Sequence, residues 1–109
     1  MGDIEELQDR IVAFRDARNW AQFHNSKDLA LCLSIEAGEL LELFLWRKPE
    51  EAEQNKLAAE LADVFYSVLL LARHNNIDLK QALLDKLEEN AKKYPVESSW
   101  GSNKKYTDR

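Results

Sequence analysis

The sequence predicts an all-α fold, because apolar residues recur at helical intervals, Val, Ile and Thr are sparse, and no stretch alternates as a half-buried strand does. A chain of 109 residues, 45% hydrophobic and 32% charged, suits one small domain spanning residues 1–109, with a core that a partner chain can complete. There is no internal repeat.

Ile4, Leu7, Ile11 and Phe14 mark the apolar stripe of a first helix, which the aromatic, polar stretch "NWAQFHNSKD" ends. Asn25 or Ser26 is placed to cap a second helix from about Lys27 to Trp46, apolar nearly all round and therefore expected to be central. Pro49 suits the first turn of a third, whose segment "LAAELADVFYSVLLLA" reads as deeply buried until "RHNNID" breaks it. Asp78 and Gln81 form a capping box for a fourth, ending near Tyr94 and Pro95. Residues 95–109 have the composition of a loop or tail, with Trp100 and Tyr106 as docking anchors.

Charge and composition narrow the partners. A net charge of -5 provides no basic field for a nucleic acid polymer, although a metal and local lysines can still hold a small phosphorylated molecule. No apolar run is long enough to cross a bilayer. The opening "MGDIEELQDR" has neither the basic nor the apolar region of a secretory signal, and Cys32 has no intrachain partner; both point to the cytoplasm.

The chemistry resides in two acid pairs, Glu36 with Glu39 and Glu60 with Asp63, each spaced three residues apart in an apolar setting. Residues three apart share a helix face. Antiparallel packing gathers four carboxylates into one cleft, where repulsion and desolvation raise their pKa values unless a cation neutralises them. All-oxygen ligation favours Mg²⁺ or Mn²⁺, and neither His24 nor His74 follows a Glu by three residues as a di-iron bundle requires. The same spacing at Glu6 and Asp9, Glu50 and Glu53, and Asp85 and Glu88 falls in polar stretches, so spacing alone leaves open a hydrated bundle edge as well as a metal site. Gly38, between two of the acids, costs about 1 kcal/mol relative to Ala inside a helix. Close approach of a helix or ligand would account for it. Glu42, one turn further on, suits either a surface position or orientation of a water or lysine.

"EAGELLELFLW" followed by "ELADV" resembles the MazG-like nucleotide pyrophosphohydrolases, whose signature is ExxE, a variable spacer, here Leu40 to Ala59, and ExxD. "NWAQFHNSKDLALCL", "DLKQALLDKLEENAKKYPV" and "GSNKKY" extend the likeness to the dCTP pyrophosphatase branch over nearly the whole chain. The resemblance implies a four-helix MazG-like bundle, assembled as a dimer or dimer of dimers, in which Trp20 or Lys86 can serve a neighbour's cluster. It implies hydrolysis of a (deoxy)nucleoside triphosphate to the monophosphate and pyrophosphate, with Glu36, Glu39, Glu60 and Asp63 as catalytic metal ligands. Mg²⁺ would clamp the triphosphate and acidify a water for in-line attack on the α-phosphorus. It points to Trp20, His24 and Trp46 around the base, where core packing is the competing role. It points to Lys86, Asn90 and Lys93 toward the phosphates and sugar, where a solvated face competes for Lys93, and Tyr94 is as readily a packing anchor as a contact.

Two departures from that branch bear on base selectivity, since it can carry His at the position of Ile11 and Tyr at that of Ser67. A one-residue shift turns a helical side chain by about 100°, so Tyr66 is not expected to replace that tyrosine. A preference for dCTP is expected, with dATP, other deoxynucleotides and modified cytosines open. A related phosphohydrolase of the dUTP or phosphoribosyl-ATP type would share the acids, and a non-enzymatic helical interaction module would need only the apolar helices.

Overall fold

The computed structural model describes residues 2–108; Met1 and Arg109, the ends of the expected domain, lie outside the described residues. Among those residues the protein is helical without strands: α1 (Asp3–Asp16), α2 (Ser26–Glu42), α3 (Gln54–His74), α4 (Leu79–Lys93) and α5 (Val96–Ser99), with short 3-10 turns at Ala21–Phe23, Pro49–Glu51 and Tyr106–Asp108. Two compact units divide the chain, Met1–Ile77 and Asp78–Arg109. Among the described residues no helix is long and apolar enough to cross a membrane.

In the first unit α3 packs against both α1 and α2. It therefore takes the central place that its sequence composition had suggested for α2. Leu69, Leu70 and Ala72 of α3 and Leu29 of α2 form the buried apolar core. Gln8, itself buried, ties α1 to α3 by donating from Nε2 to the Leu69 carbonyl at 2.9 Å. An Arg73–Asp9 ion pair at 2.7 Å joins the same helices at the surface.

Local chemistry sets the helix ends. Asn25 caps α2, its Oδ1 accepting from the Asp28 N–H at 2.9 Å. The α1 terminus closes through Asn19 at φ 55, with the Trp20 N–H donating to the Arg15 carbonyl and the Asn19 N–H to that of Asp16. Asn76, also at φ 55, closes α3 in the same way, with Ile77 N–H to Ala72 and Asn76 N–H to Arg73. Both are Schellman closures, and asparagine is the commonest substitute for glycine in them.

Two boundaries differ from the sequence expectation. α2 ends at Glu42, and the chain turns through Leu43–Leu45 to Trp46, which sits at φ 61. A bulky side chain in the left-handed region costs on the order of 1 kcal/mol or more. Pro49 opens a separate 3-10 turn, and α3 begins only at Gln54. The apolar faces of α2 and α3 are also less covered than their composition suggests, with Ile35 61%, Leu41 62% and Leu61 50% exposed.

In the second unit Asp78 caps α4 by accepting from the Gln81 N–H at 3.0 Å. The reciprocal arm of the expected capping box is missing, because Gln81 Nε2 turns forward to Asp85 at 2.8 Å. Tyr94 follows the helix as its C-cap. Tyr106 docks edge-on to Tyr94, with ring centroids 5.8 Å apart, and Lys93 Nζ lies 5.1 Å from the Tyr106 ring centre. Trp100, the other expected anchor, is 87% exposed and does not dock.

Candidate active site

The i, i+3 geometry of α2 and α3 turns the acid pairs toward each other. Glu36, Glu60 and Asp63 each offer an oxygen within 4.8 Å of the others. Glu39, half-buried, stands beside this trio, and its charge acts on both Glu36 and Glu60.

The electrostatics are unfavourable for three or four bare carboxylates. Glu36 is held above the usual carboxylate range first by burial, then by Glu39, with Asp63 and Glu60 adding to the effect. Glu60 is raised by burial and then by Glu39, Asp63 and Glu42. Oε2 of Glu36 and Oε2 of Glu60 are each buried without a hydrogen-bond partner. Two unpartnered buried carboxylate oxygens in a cluster of three acids fit a divalent cation, and an all-oxygen donor set suits Mg²⁺ or Mn²⁺.

Glu36 and Asp63 also border a cavity of about 680 Å³, whose wall includes Ile11, Phe14, Trp20, His24 and Tyr66. The Schellman turn after α1 delivers Trp20 to this cavity, and Phe14 meets it edge-on at 5.8 Å between centroids. Arg18 covers the Phe14 ring at 3.6 Å. His24 Nδ1 is buried and unpartnered, and the imidazole is pushed toward its neutral form by burial, Arg15 and His74 in that order. Trp20 and His24 thus share a cavity with their own chain's acids.

The other sequence candidates are placed differently. Trp46 is 99% exposed beyond the end of α2 and is not among the residues lining this cavity. Lys86, Asn90 and Lys93 lie on α4 in the second unit, where Glu89 pairs with Lys86 at 3.5 Å and with Lys93 at 3.0 Å. No neighbour would meet a Cβ at Gly38 within 4 Å, so close approach inside the chain does not explain that glycine.

Tyr66 lines the cavity together with Ser67, one position along α3. The cavity is broad enough to take consecutive positions of α3. Phe14 joins the site although its periodicity marks it as core; an apolar stripe on α1 gives no sign of which members border a void. Glu42 lines a second recess with Glu39 and Glu60.

Comparison with known proteins shows the family. Residues 31–108 match the model of the MazG-like family. The chain is 39% identical over 113 residues to dCTP pyrophosphatase 1 of Bos taurus, covering 96% of this chain and 67% of that protein. It is 34% identical to dCTP pyrophosphatase 1 of Homo sapiens, covering 96% of this chain and 66% of that one. It therefore spans about two thirds of the length of these relatives. The crystal structure of a pyrophosphatase from Archaeoglobus fulgidus is similar with a TM-score of 0.80 and 37% identity, over 87% of this chain and 94% of that one. With a family-model match over most of its length, relatives 34–39% identical and a helical scaffold shared with a solved pyrophosphatase, the chain belongs to the MazG-like family and is an enzyme of its nucleoside triphosphate pyrophosphatase class.

Proposed function

We propose that the chain converts a (deoxy)nucleoside triphosphate, dCTP or a related dNTP, to the monophosphate and pyrophosphate by water attack at the α-phosphorus. The observation that carries this reading is the opening of the carboxylate cluster onto a cavity walled by Trp20 and His24. A base held against the aromatics brings the first phosphate of its ribose chain to the acids.

Glu36, Glu60 and Asp63, with Glu39 beside them, would hold Mg²⁺ or Mn²⁺. When bound, the cation neutralises triphosphate oxygens and lowers the pKa of water at the site. The chain's own residues do the rest. Trp20 offers a stacking face to the base. Neutral His24 presents one ring nitrogen as donor and the other as acceptor. Phe14 and Ile11 exclude water from the base end. Ile11 and Ser67, where the dCTP branch can carry histidine and tyrosine, both line the cavity, so selectivity for cytosine depends on Tyr66, His24 and Ser67 in this chain. Lys86, Asn90 and Lys93 remain candidates for contacts to phosphate and sugar.

The enzyme works as a homodimer or dimer of dimers in this reading. Leu61 and Phe65 of α3 border an apolar recess of about 520 Å³ and are 50% and 45% exposed, a surface suited to a second copy.

A panel of nucleotides assayed for pyrophosphate release with Mg²⁺ tests the activity. Release from dCTP or another dNTP, abolished by excess chelator, is expected. Release from dUTP or phosphoribosyl-ATP alone would assign the site to a different substrate, and no release from any nucleotide would remove the enzymatic reading.

A further inference from the structure

The acid cluster separates two recesses with different walls. Glu36 and Asp63 border the aromatic cavity, whereas Glu39 and Glu60 border a smaller recess of about 360 Å³ with Glu42, Arg47 and Lys56. Glu36, Glu60 and Asp63 approach within 4.8 Å of one another, so the two recesses meet at these carboxylates.

Chain order gives the site a direction. Along α2 the sequence runs Glu36, Glu39, Glu42 and then, past the helix end, Arg47. On α3 the order from the aromatic end is reversed, Asp63, Glu60, Lys56. Both helices thus lead from the aromatic cavity, through the acids, to a cation. The seven helical steps from Lys56 to Asp63 span about 10 Å.

We propose that Arg47 and Lys56 bind the β- and γ-phosphates and hold the pyrophosphate product, a refinement that rests on the proposed nucleotide reaction. With the base beside Trp20 and the α-phosphate at the carboxylates, the remaining phosphates extend into the recess these two cations line. Arg47 supplies a planar fork suited to two phosphate oxygens, and Lys56 a point charge on a flexible stem. Neither is locked into a buried pair. Arg47 forms no salt bridge among the described residues, and Lys56 makes an exposed pair with Glu53 at 3.6 Å, which a phosphate can readily displace. The competing role for both is to offset the charge of Glu39 and Glu42. That role predicts tighter Mg²⁺ binding when the cations are removed, and no selective effect on pyrophosphate.

Calorimetric titration of inorganic pyrophosphate and, separately, of dCMP in Mg²⁺ buffer distinguishes the two. In Arg47→Ala and Lys56→Ala the Kd for pyrophosphate should rise about tenfold each, and further in the double variant, while the Kd for dCMP stays within about twofold. Arg47→Lys should recover part of the loss, and circular dichroism should show the helical fold intact. Unchanged pyrophosphate binding in the double variant, equal losses for both ligands, or no pyrophosphate binding by the wild type would overturn the assignment. Wild-type turnover with unchanged pyrophosphate affinity in the double variant removes the phosphate site and leaves the reaction standing. Arg47-dependent pyrophosphate binding without turnover of any nucleotide does the reverse.

Discussion

Glu36 and Glu60 carry opposing demands on stability and function. Burial raises the pKa of both in the folded chain, so each binds protons more tightly folded than unfolded. In the absence of metal this pair lowers stability as pH rises from the ordinary carboxylate value of 4.5 through the raised folded value, and the penalty is complete above it. A cation reverses the penalty and competes with protons for the same oxygens. The rise in Tm caused by Mg²⁺ should therefore be larger at pH 7.5 than at pH 5; an equal rise at both would separate metal binding from these acids. Asp63→Asn and Glu39→Gln should each reduce kcat/KM by at least about 100-fold, since even changes beyond the direct ligands often cost this much. Their circular dichroism should match the wild type, and full turnover by either variant would remove that residue from the site.

At the scale of the elements, the helices were legible because their periodicity and caps are local properties. Asn25 and Asp78 both cap as their positions suggest. Asn25→Ala should lower unfolding free energy by about 1 kcal/mol, measurable by urea denaturation. The end of α2 was not legible. "LELFLW" continues the apolar pattern, yet the helix stops at Glu42 and Trp46 adopts a left-handed backbone for which its sequence gives no signal. Nor does composition show which apolar residues line a void, which is why Phe14 reads as core. Gly38 supplies a test at this scale. With open space around it, Gly38→Ala should stabilise the isolated chain by about 1 kcal/mol. If turnover falls in the same variant, the space at Gly38 is used by substrate or by a second chain.

For the molecule as a whole, the acids stand out in the sequence by type and spacing, whereas the cavity beside them and the unpartnered oxygens, which favour a site over a hydrated edge, depend on long-range packing that no local pattern encodes. In the proposed reading a second copy covers the apolar surface left on α3. Sedimentation should show at least a dimer, and Leu61→Glu or Phe65→Glu should shift it to a monomer; a wild-type monomer with full activity at assay concentration would refute the expectation. The cleavage position is the central claim of the proposed reaction: with the base in the aromatic cavity and the cation at the acids, the attack falls beside the base rather than at the terminal phosphate. Turnover of dCTP in water enriched in oxygen-18, with mass analysis of the products, tests it most directly. Attack at the α-phosphorus puts the label in dCMP and leaves pyrophosphate unlabelled. Label in pyrophosphate would move the attack to the β-phosphorus, and dCDP with orthophosphate as first products would contradict the proposed reaction altogether.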